Sequence, residues 1–233
     1  MKVVAIVPAA GKGVRLGNDI AKPFVSIKGR PLLAHTLGVL NKSPLVSAIV
    51  VVAHRDFVGS VESDIIRRYR ISKARLCIEG GKTRHESVYN ALLAIRESDY
   101  TLVMIHDCAR PFLTEDIIRR SCNAALRFGA ACVGMPLKDT IKEIKNNVVK
   151  RTLDRRYLWQ IQTPQVFRKK LVLDAYARFY RKGYFSDDAS VVEKLKAKIR
   201  MVEGSYYNIK ITTPEDIVLA EKIYEVLKGS VSK

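Results

Sequence analysis

Short apolar runs with almost no polar alternation recur through the first 135 residues, and they restrict the fold more than any other feature. The runs are Val3–Val7, Ala48–Val52, Ala74–Ile78, Tyr100–Ile105 and Ala130–Met135. A run of this length predicts a strand that is buried on both faces, which is typical of a parallel sheet. Between the runs, apolar residues recur at helical spacing, for example over 56–69 and 114–128. We therefore predict an α/β fold, a single Rossmann-like domain over residues 1–233 with a mostly parallel sheet and helices on both faces.

The first predicted strand leads into a loop of small residues and cations. This loop reads Pro8-Ala9-Ala10-Gly11-Lys12-Gly13-Val14-Arg15-Leu16-Gly17, and Lys22 follows it. Small residues let backbone N–H groups approach an anion, and the cations neutralise its charge. The loop is not a P-loop, and its last glycine comes one residue too late for a dinucleotide fingerprint. We predict a polyphosphate site here, with an ordinary glycine-rich turn as the alternative.

The third predicted strand leads into a second glycine loop. Gly80-Gly81 comes first, followed by Thr83, Arg84 and Glu86 at the start of a helix. Thr83 and Glu86 have the spacing of a capping box, which explains these two residues but not the glycines or Arg84. A helix N-terminus attracts anions through its backbone dipoles. The pattern therefore indicates a second anion-binding loop.

The fourth predicted strand ends in His106-Asp107-Cys108-Ala109-Arg110. A carboxylate at this position lies at the carboxyl edge of the sheet and faces the same crevice as the first loop. Asp107 is either held by Arg110 in an ion pair or positions a magnesium–triphosphate group and an incoming substrate. Both interpretations remain open at this point.

Residues 138–155 break the alternation of strands and helices. Two highly charged segments, 140–145 and 148–153, flank Asn146-Asn147, a dipeptide that favours a two-residue hairpin turn. A hairpin with so little apolar surface is not stable alone and must lie against something else. We predict a protruding arm.

The last third of the chain contains two features that bear on a site. Ser186-Asp187-Asp188 precedes a helix, and we interpret the two carboxylates as helix caps and dipole complements rather than metal ligands. Segments 199–203 and 208–212 are predicted to be the last strands. Lys210 lies in the second of these, and a cation in an apolar strand requires a partner because an unpaired buried charge is costly.

The excess of positive charge indicates which kind of binding partner to expect. The chain has 41 Lys and Arg residues against 23 Asp and Glu residues, a net charge of +18. These cations are spread along the sequence without a run of five and without interleaved aromatic residues. This distribution favours small polyanionic substrates over nucleic acid, so we expect no nucleic-acid partner, and a basic nucleic-acid-binding protein remains the distant alternative.

The cysteines and the hydropathy pattern suggest a compartment. Cys77, Cys108, Cys122 and Cys132 form no C-x-x-C pair, and no apolar run approaches the length of a membrane helix. The first residues run directly into a strand without a signal-peptide pattern. We expect reduced thiols, a cytoplasmic location and no membrane partner.

Together the motifs resemble those of the sugar-phosphate nucleotidylyltransferases and, within them, the 2-C-methyl-D-erythritol 4-phosphate cytidylyltransferase family. The matching motifs are P-A-A-G-x-G-x-R-x-G with K-P-F, G-G-x-x-R-x-x-S, H-D-x-A-R-P, D-R and T-P-Q. They extend over nearly the whole chain. Lys82 departs from the acidic or polar residue of the family, and Cys108 replaces a small residue.

The resemblance implies a reaction in non-mevalonate isoprenoid biosynthesis. CTP condenses with 2-C-methyl-D-erythritol 4-phosphate to give 4-diphosphocytidyl-2-C-methyl-D-erythritol and pyrophosphate. Ribitol 5-phosphate cytidylyltransferase is the alternative within the class. The resemblance further implies Mg²⁺ as cofactor, held mainly by the CTP phosphates with no firmly assigned protein ligand, and a homodimer formed through the arm.

The resemblance also implies the roles of individual residues. Arg15 and Lys22 stabilise the transition state, and Arg155 and Lys210 position the substrate phosphate. The implied CTP-binding residues are Pro8, Ala9, Ala10, Gly11, Gly13, Arg15, Lys22, Gly80, Gly81, Arg84, Ser87 and Asp107. The implied substrate-binding residues are Asp107, Arg110, Thr140, Arg155, Thr163, Ser186 and Lys210.

Overall fold

A computed structural model describes residues 1–11, 21–183 and 185–229 of the chain. The strands within these ranges are β1 (Val3–Ala9), β2 (Ser26–Ile27), β3 (Arg30–Pro31), β4 (Val46–Ala53), β5 (Ala74–Glu79), β6 (Leu102–Ile105), β7 (Ala130–Pro136), β8 (Ile141–Lys145), β9 (Val148–Leu153), β10 (Trp159–Arg168) and β11 (Arg200–Glu203). The α-helices are α1 (Leu32–Lys42), α2 (Val58–Ser60), α3 (Arg84–Ala94), α4 (Glu115–Phe128), α5 (Lys169–Phe179), α6 (Asp188–Glu193) and α7 (Pro214–Gly229). None of these described helices combines the length and the apolar character needed to cross a membrane.

Seven of the strands form one sheet in the order β11-β7-β10-β6-β1-β4-β5. The central strand β1 runs parallel to both of its neighbours, β4 and β6. Parallel pairing also joins β4 to β5 and β7 to β11, whereas β10 runs antiparallel to β6 and β7. The mostly parallel sheet predicted from the apolar runs is therefore confirmed.

The core consists of two apolar layers, one on each face of the sheet. In β1, Val3, Ala5 and Val7 belong to one layer, and Val4 and Ile6 belong to the other. Helices α1, α4 and α7 cover the first layer, and α3, α5 and α6 cover the second. Because both faces of these strands are covered, they are apolar at successive positions.

The helix predicted over residues 56–69 forms with a different winding. Arg55–Phe57 is a 3₁₀ turn, α2 adds one α-helical turn, and Val61–Arg67 continues as a π-helix. The apolar face is nevertheless the predicted one, since Val61 and Ile65 are fully buried. The spacing of apolar residues thus predicts the buried face, and nothing in the sequence predicts the wider winding.

The prediction of a strand at 208–212 is wrong. β11 is present close to its predicted position, but 208–212 is an extended segment that does not join the sheet. The Ile211 N–H donates to the carbonyl of Ala109, which lies in the loop after β6 rather than in a strand (2.9 Å). The segment is apolar because it lies against this loop, and buried loops and strands have similar apolar patterns.

The predicted arm is a two-stranded hairpin separate from the main sheet. Strands β8 and β9 pair antiparallel, and Asn146 and Asn147 both have positive φ angles, 51° and 62°. This is the backbone conformation of a tight hairpin turn that asparagine tolerates. Val148 and Val149 are 67% and 55% exposed, so the arm presents apolar side chains that this chain leaves uncovered.

Candidate functional site

A pocket opens where the carboxyl ends of β1, β5 and β6 meet, with a cavity volume of about 410 Å³. Its walls come from the two glycine loops, the loop after β6 and the extended segment that precedes α7. The lining residues are Pro8, Ala10, Gly11, Lys22, Gly81, Lys82, Thr83, Arg84, Ser87, Asp107, Cys108, Ala109, Lys210 and Thr212. Among them Lys22, Lys82, Arg84 and Lys210 are cationic, and Asp107 is the single carboxylate. The described lining is therefore suited to an anion.

The first glycine loop forms one wall of the pocket. β1 ends at Ala9, which pairs with Ala53 of β4, so the next residues emerge at the carboxyl edge of the sheet. Pro8, Ala10 and Gly11 then line the cavity. The predicted binding residues Gly13 and Arg15 lie outside the described residues.

Lys22 returns to the same pocket beyond this loop. It begins a short 3₁₀ turn, Lys22–Phe24, in which Pro23 is buried. The fixed φ of proline suits the start of such a turn and restricts the backbone next to Lys22. The K-P-F motif thus places this cation on the wall of the cavity, as the sequence predicted.

The second glycine loop is fixed by hydrogen bonds to β4 and within itself, and it lies against the first glycine loop at Gly80. The Gly80 N–H donates to the Ala53 carbonyl at 2.8 Å. The Ser87 hydroxyl accepts from the Gly81 N–H at 3.1 Å and donates to the Thr83 carbonyl at 2.9 Å. A Cβ atom on Gly80 would lie only 2.6 Å from the Ala10 Cβ. Glycine is therefore required where the two loops touch.

The start of α3 confirms the capping prediction for Thr83, whose hydroxyl accepts from the Glu86 N–H at 3.1 Å. The Glu86 carboxylate, however, accepts from the N–H of Lys82 at 2.7 Å. Lys82 therefore lines the pocket with its backbone fixed by the turn that caps the helix.

Asp107 lies between three cations at the end of β6. Its Oδ1 is 3.1 Å from Nη2 of Arg84, and its Oδ2 is 2.8 Å from Nζ of Lys210 and 3.8 Å from Nε of Arg110. Burial alone would raise the pKa of Asp107, but Arg84, Lys210 and Arg110 outweigh it and hold this pKa well below its usual value. The carboxylate is thus ionised, and Arg110, which the sequence suggested as its partner, makes the longest of the three contacts.

A hydrogen bond to Thr163, a residue of the neighbouring strand β10, fixes the backbone of Asp107. The Asp107 N–H donates to the Thr163 hydroxyl at 3.0 Å, and this hydroxyl also bonds Nδ1 of His106 at 3.0 Å. Nε2 of His106 lies 3.0 Å from the Arg110 carbonyl. Burial lowers the pKa of His106 to about 4, so the ring is neutral, and a neutral ring has one donor nitrogen and one acceptor. The threonine hydroxyl then donates to Nδ1, and Nε2–H donates to the Arg110 carbonyl.

Two of the predicted substrate-binding residues, Thr163 and Arg110, therefore lie behind the pocket wall. The Arg110 guanidinium donates to the Asn208 carbonyl at 2.8 Å and to the Ile161 carbonyl at 3.4 Å. These bonds hold the extended segment against the loop after β6 and so place Lys210 next to Asp107. Arg110 and Thr163 therefore do not line the pocket but hold Asp107 and the segment that carries Lys210 in place.

Arg84 is held by a second carboxylate that the sequence analysis interpreted differently. Asp187 is the N-cap of α6, as predicted, with its side chain accepting from the Ser190 N–H. Asp188 is instead fully buried, and its Oδ2 lies 2.7 Å from Nη2 of Arg84. Burial would lower the pKa of Arg84, but Asp188 and Asp107 raise it well above its usual value. The signal that could have found Asp188 was Arg84 itself, because an arginine that is largely removed from water requires carboxylate partners.

Three predicted residues lie away from this pocket. Ser186 is exposed and is not part of the lining. Thr140 and Arg155 lie at the base of the arm and are also exposed, and the Arg155 guanidinium donates to the Lys138 carbonyl. The structure thus brings most of the described residues of the two glycine loops together within one chain, but not the arm residues.

The remaining described side chains support neither a reactive thiolate nor a metal-binding cluster. Burial raises the pKa of Cys108 to about 11, so this lining thiol is protonated at neutral pH. All four cysteines are free thiols. Within the described ranges no three His, Cys, Asp or Glu side chains come together in a way that would hold a metal ion.

Comparison with known proteins gives a consistent result across nearly the whole chain. The model of the 2-C-methyl-D-erythritol 4-phosphate cytidylyltransferase family matches residues 3–226. The enzyme of that name from Syntrophus aciditrophicus is 42% identical over 233 residues, with 99% of each chain covered. The Clostridium novyi enzyme of the same name is 41% identical over 229 residues, with 97% of this chain and 98% of the relative covered.

Solved structures give the same result for the fold. The 4-diphosphocytidyl-2C-methyl-D-erythritol synthase of Anaerococcus prevotii superposes with a TM-score of 0.83 at 32% identity, covering 96% of both chains. The 2-C-methyl-D-erythritol 4-phosphate cytidylyltransferase of Francisella tularensis gives a TM-score of 0.80 at 31% identity, covering 96% of this chain and 100% of that one.

Proposed function

The chain belongs to the 2-C-methyl-D-erythritol 4-phosphate cytidylyltransferase family, and from this we propose that its pocket is where CTP reacts. The enzyme condenses CTP with 2-C-methyl-D-erythritol 4-phosphate to 4-diphosphocytidyl-2-C-methyl-D-erythritol and pyrophosphate, a step of isoprenoid biosynthesis. The observation that carries the placement is the pocket itself. It brings both glycine loops, Lys22 and Lys210 onto one cavity.

The nucleotide end of the pocket is formed by small groups. Ala10 and Gly80 are in contact, and Ser87 holds the Gly81 N–H. We assign the pyrimidine and ribose to this end because only a flat, small group fits beside two loops in contact. We also assign Pro8, Ala9, Gly11 and Arg84 to this end, and we assign Gly13 and Arg15, which lie outside the described residues, to binding of the CTP phosphates.

The reaction needs charge stabilisation more than proton transfer. An oxygen of the acceptor phosphate, already anionic, attacks the α-phosphorus of CTP, and the bond from the α-phosphorus to the bridging oxygen of pyrophosphate breaks. No general base is required. Lys22, with Arg15, offsets the negative charge that accumulates in the transition state, and Lys210 holds the acceptor phosphate. Asp107 keeps Lys210 in place until that phosphate arrives, since its Oδ2 is 2.8 Å from Nζ.

Mg²⁺ is the cofactor in this proposal. Mg²⁺ commonly binds through one or two carboxylates together with substrate phosphates. Asp107 is the one carboxylate among the described lining residues, and its oxygens contact Arg84 and Lys210. We therefore assign most of the ligands to the triphosphate of CTP. When bound, the ion neutralises part of the triphosphate charge.

The arm completes the proposal as the contact between two subunits. Thr140 and Arg155 are exposed and lie outside the pocket of their own chain, and the arm presents exposed Val148 and Val149. We assign the arm to a homodimer contact, with Arg155 directed at the substrate phosphate in the partner's pocket. Ser186, also exposed, keeps its predicted substrate role only if the substrate extends beyond the cavity. The four free thiols favour a cytoplasmic location.

Pyrophosphate release with CTP against a set of polyol phosphates tests the function. We expect kcat/KM for 2-C-methyl-D-erythritol 4-phosphate to exceed that for ribitol 5-phosphate by about tenfold or more, since groups of this size are worth roughly 1–3 kcal/mol. The proteins compared above are named for methylerythritol chemistry, which favours this outcome over the ribitol alternative. Higher turnover of ribitol 5-phosphate would contradict the acceptor assignment. Saturable binding of duplex DNA without pyrophosphate release would instead favour the nucleic-acid alternative.

Gly80→Ala tests the position of the nucleotide. The added Cβ would lie 2.6 Å from the Ala10 Cβ and 2.8 Å from the Ser87 Oγ, so the two loops must separate. We expect KM for CTP to rise about tenfold, which corresponds to roughly 1.4 kcal/mol of lost binding. Gly59→Ala is the matched control, because beyond its chain neighbours and the local helix backbone no atom lies within 4 Å of its added Cβ. An unchanged KM for CTP in Gly80→Ala would place the nucleotide elsewhere.

A further inference from the structure

Asp188 is a buried carboxylate with no part in capping its helix. The cap of α6 is formed by Asp187 with Ser190. Asp188 instead receives Nη1 of Arg84 on Oδ1 at 3.0 Å and Nη2 on Oδ2 at 2.7 Å. The hydroxyl of Tyr176, a fully buried residue of α5, also donates to Oδ1. A buried carboxylate is costly unless it is paired and hydrogen-bonded, and every contact of Asp188 supplies such a pairing.

This arrangement divides the donors of Arg84 between two carboxylates. Nε and Nη2 donate to Oδ1 of Asp107 at 3.2 and 3.1 Å, while Nη1 and Nη2 donate to Asp188. The guanidinium is planar and its donors are fixed in direction, so holding two of its edges fixes its orientation. Asp107 is consequently contacted by Arg84 through Oδ1 alone, and Lys210 makes the shortest contact to its Oδ2, with Arg110 3.8 Å away.

We propose that Asp188, held by Tyr176, is a positioning residue that acts through Arg84 and Asp107 on Lys210. This rests on the proposed function, in which Lys210 holds the acceptor phosphate. When Asp188 carries no charge, we expect the Nη1 and Nη2 groups of Arg84 to turn from Asp188 to Asp107. Both carboxylate oxygens of Asp107 then accept hydrogen bonds from Arg84. Lys210 then loses the partner that directs it into the pocket. The four residues through which Asp188 acts or is held come from α3, α5, the loop after β6 and the segment before α7.

The start of α6 is anchored independently of Asp188, which makes the proposal testable. The side chain of Gln165, in β10, accepts from the Ala189 N–H at 2.8 Å and donates to Asp187 at 2.7 Å. Asp188→Asn keeps Oδ1 for the Tyr176 hydroxyl, removes the charge that competes for Arg84, and replaces the second acceptor, Oδ2, with an amide group that cannot accept from Arg84. We therefore expect this variant to retain α6 in place.

The experiment compares Asp188→Asn in two backgrounds, with CTP and 2-C-methyl-D-erythritol 4-phosphate as substrates. In the otherwise unchanged enzyme, kcat/KM for the acceptor should fall about tenfold, or 1.4 kcal/mol in transition-state free energy. In the Lys210→Ala background the same substitution should lower the residual rate less than twofold, because the residue it acts on is gone. Asp187→Asn is the matched control, since it removes an adjacent carboxylate that does not contact Arg84, and it should stay within twofold.

The outcomes are separable. Equal losses in both backgrounds would show that Asp188 does not act through Lys210, and this would overturn the positioning role. An unchanged rate in Lys210→Ala alone would instead refute the proposed function of Lys210. Circular dichroism identifies variants that do not fold. If Asp188→Asn is among them, Tyr176→Phe replaces it, since it keeps both charges and removes one hydrogen bond. It should cost about threefold in the unchanged enzyme and nothing in Lys210→Ala, and a loss in both again overturns the proposal.

Discussion

Lys22→Ala should lower kcat by about 10²- to 10³-fold, the loss typical of removing one group that stabilises transition-state charge. Lys22 lines the pocket at the start of its own 3₁₀ turn, and a second cation, Lys210, lines the same cavity. The reacting phosphates repel each other as they approach, and this repulsion is greatest in the transition state. The variant should therefore lose kcat more than CTP affinity. Steady-state kinetics with pyrophosphate detection separates the two quantities.

The control for this prediction is Lys42→Ala. Lys42 is exposed at the last residue of α1 and does not line the pocket, so its removal changes the net charge equally. We expect its kcat to stay within about twofold of the unchanged enzyme, as for most surface substitutions. Arg15→Ala, in the first glycine loop, should resemble Lys22→Ala. If Lys22→Ala kept kcat near that of Lys42→Ala, Lys22 would have no part in stabilising the transition state.

The features that the sequence predicted correctly depend on local rules. The apolar runs became strands because a parallel sheet covered on both faces leaves no place for alternating polar residues. Thr83 caps its helix because a hydroxyl there satisfies an otherwise unpaired N–H. Asn146-Asn147 forms the tight turn because asparagine tolerates positive φ. In each case the residues that make up the sequence pattern are also the residues that form the predicted element.

The features that were missed depend on contacts between distant segments. Residues 208–212 have a strand-like pattern, but Ile211 bonds the loop at Ala109, about a hundred residues away in the chain. Asp188 pairs with Arg84, which is equally distant, so its neighbours in sequence indicated a cap. Local patterns carry no information on such partners, because apolar and capping signals are the same in both settings. The pocket itself was predictable, since parallel strands bring their carboxyl ends to one edge.

The proposed homodimer contact of the arm is tested by mixing two inactive variants. Lys22→Ala removes a group from the pocket, and Arg155→Ala removes an exposed group at the base of the arm. If Arg155 acts in the pocket of the other subunit, each mixed dimer has one site with both defects and one site with none. Random exchange makes about half of the dimers mixed, so activity should recover to roughly a quarter of that of the unchanged enzyme.

The control for this experiment is a mixture of Lys22→Ala with Lys210→Ala. These two residues line one pocket of one chain, so every site in a mixed dimer carries one defect and no activity should return. Native mass spectrometry establishes that subunits have exchanged in both mixtures. Recovery with Arg155→Ala but not with Lys210→Ala can arise only if Arg155 and Lys22 of the same site belong to different chains. If exchange occurs and neither mixture recovers, Arg155 serves its own chain and the arm has no part in a shared site.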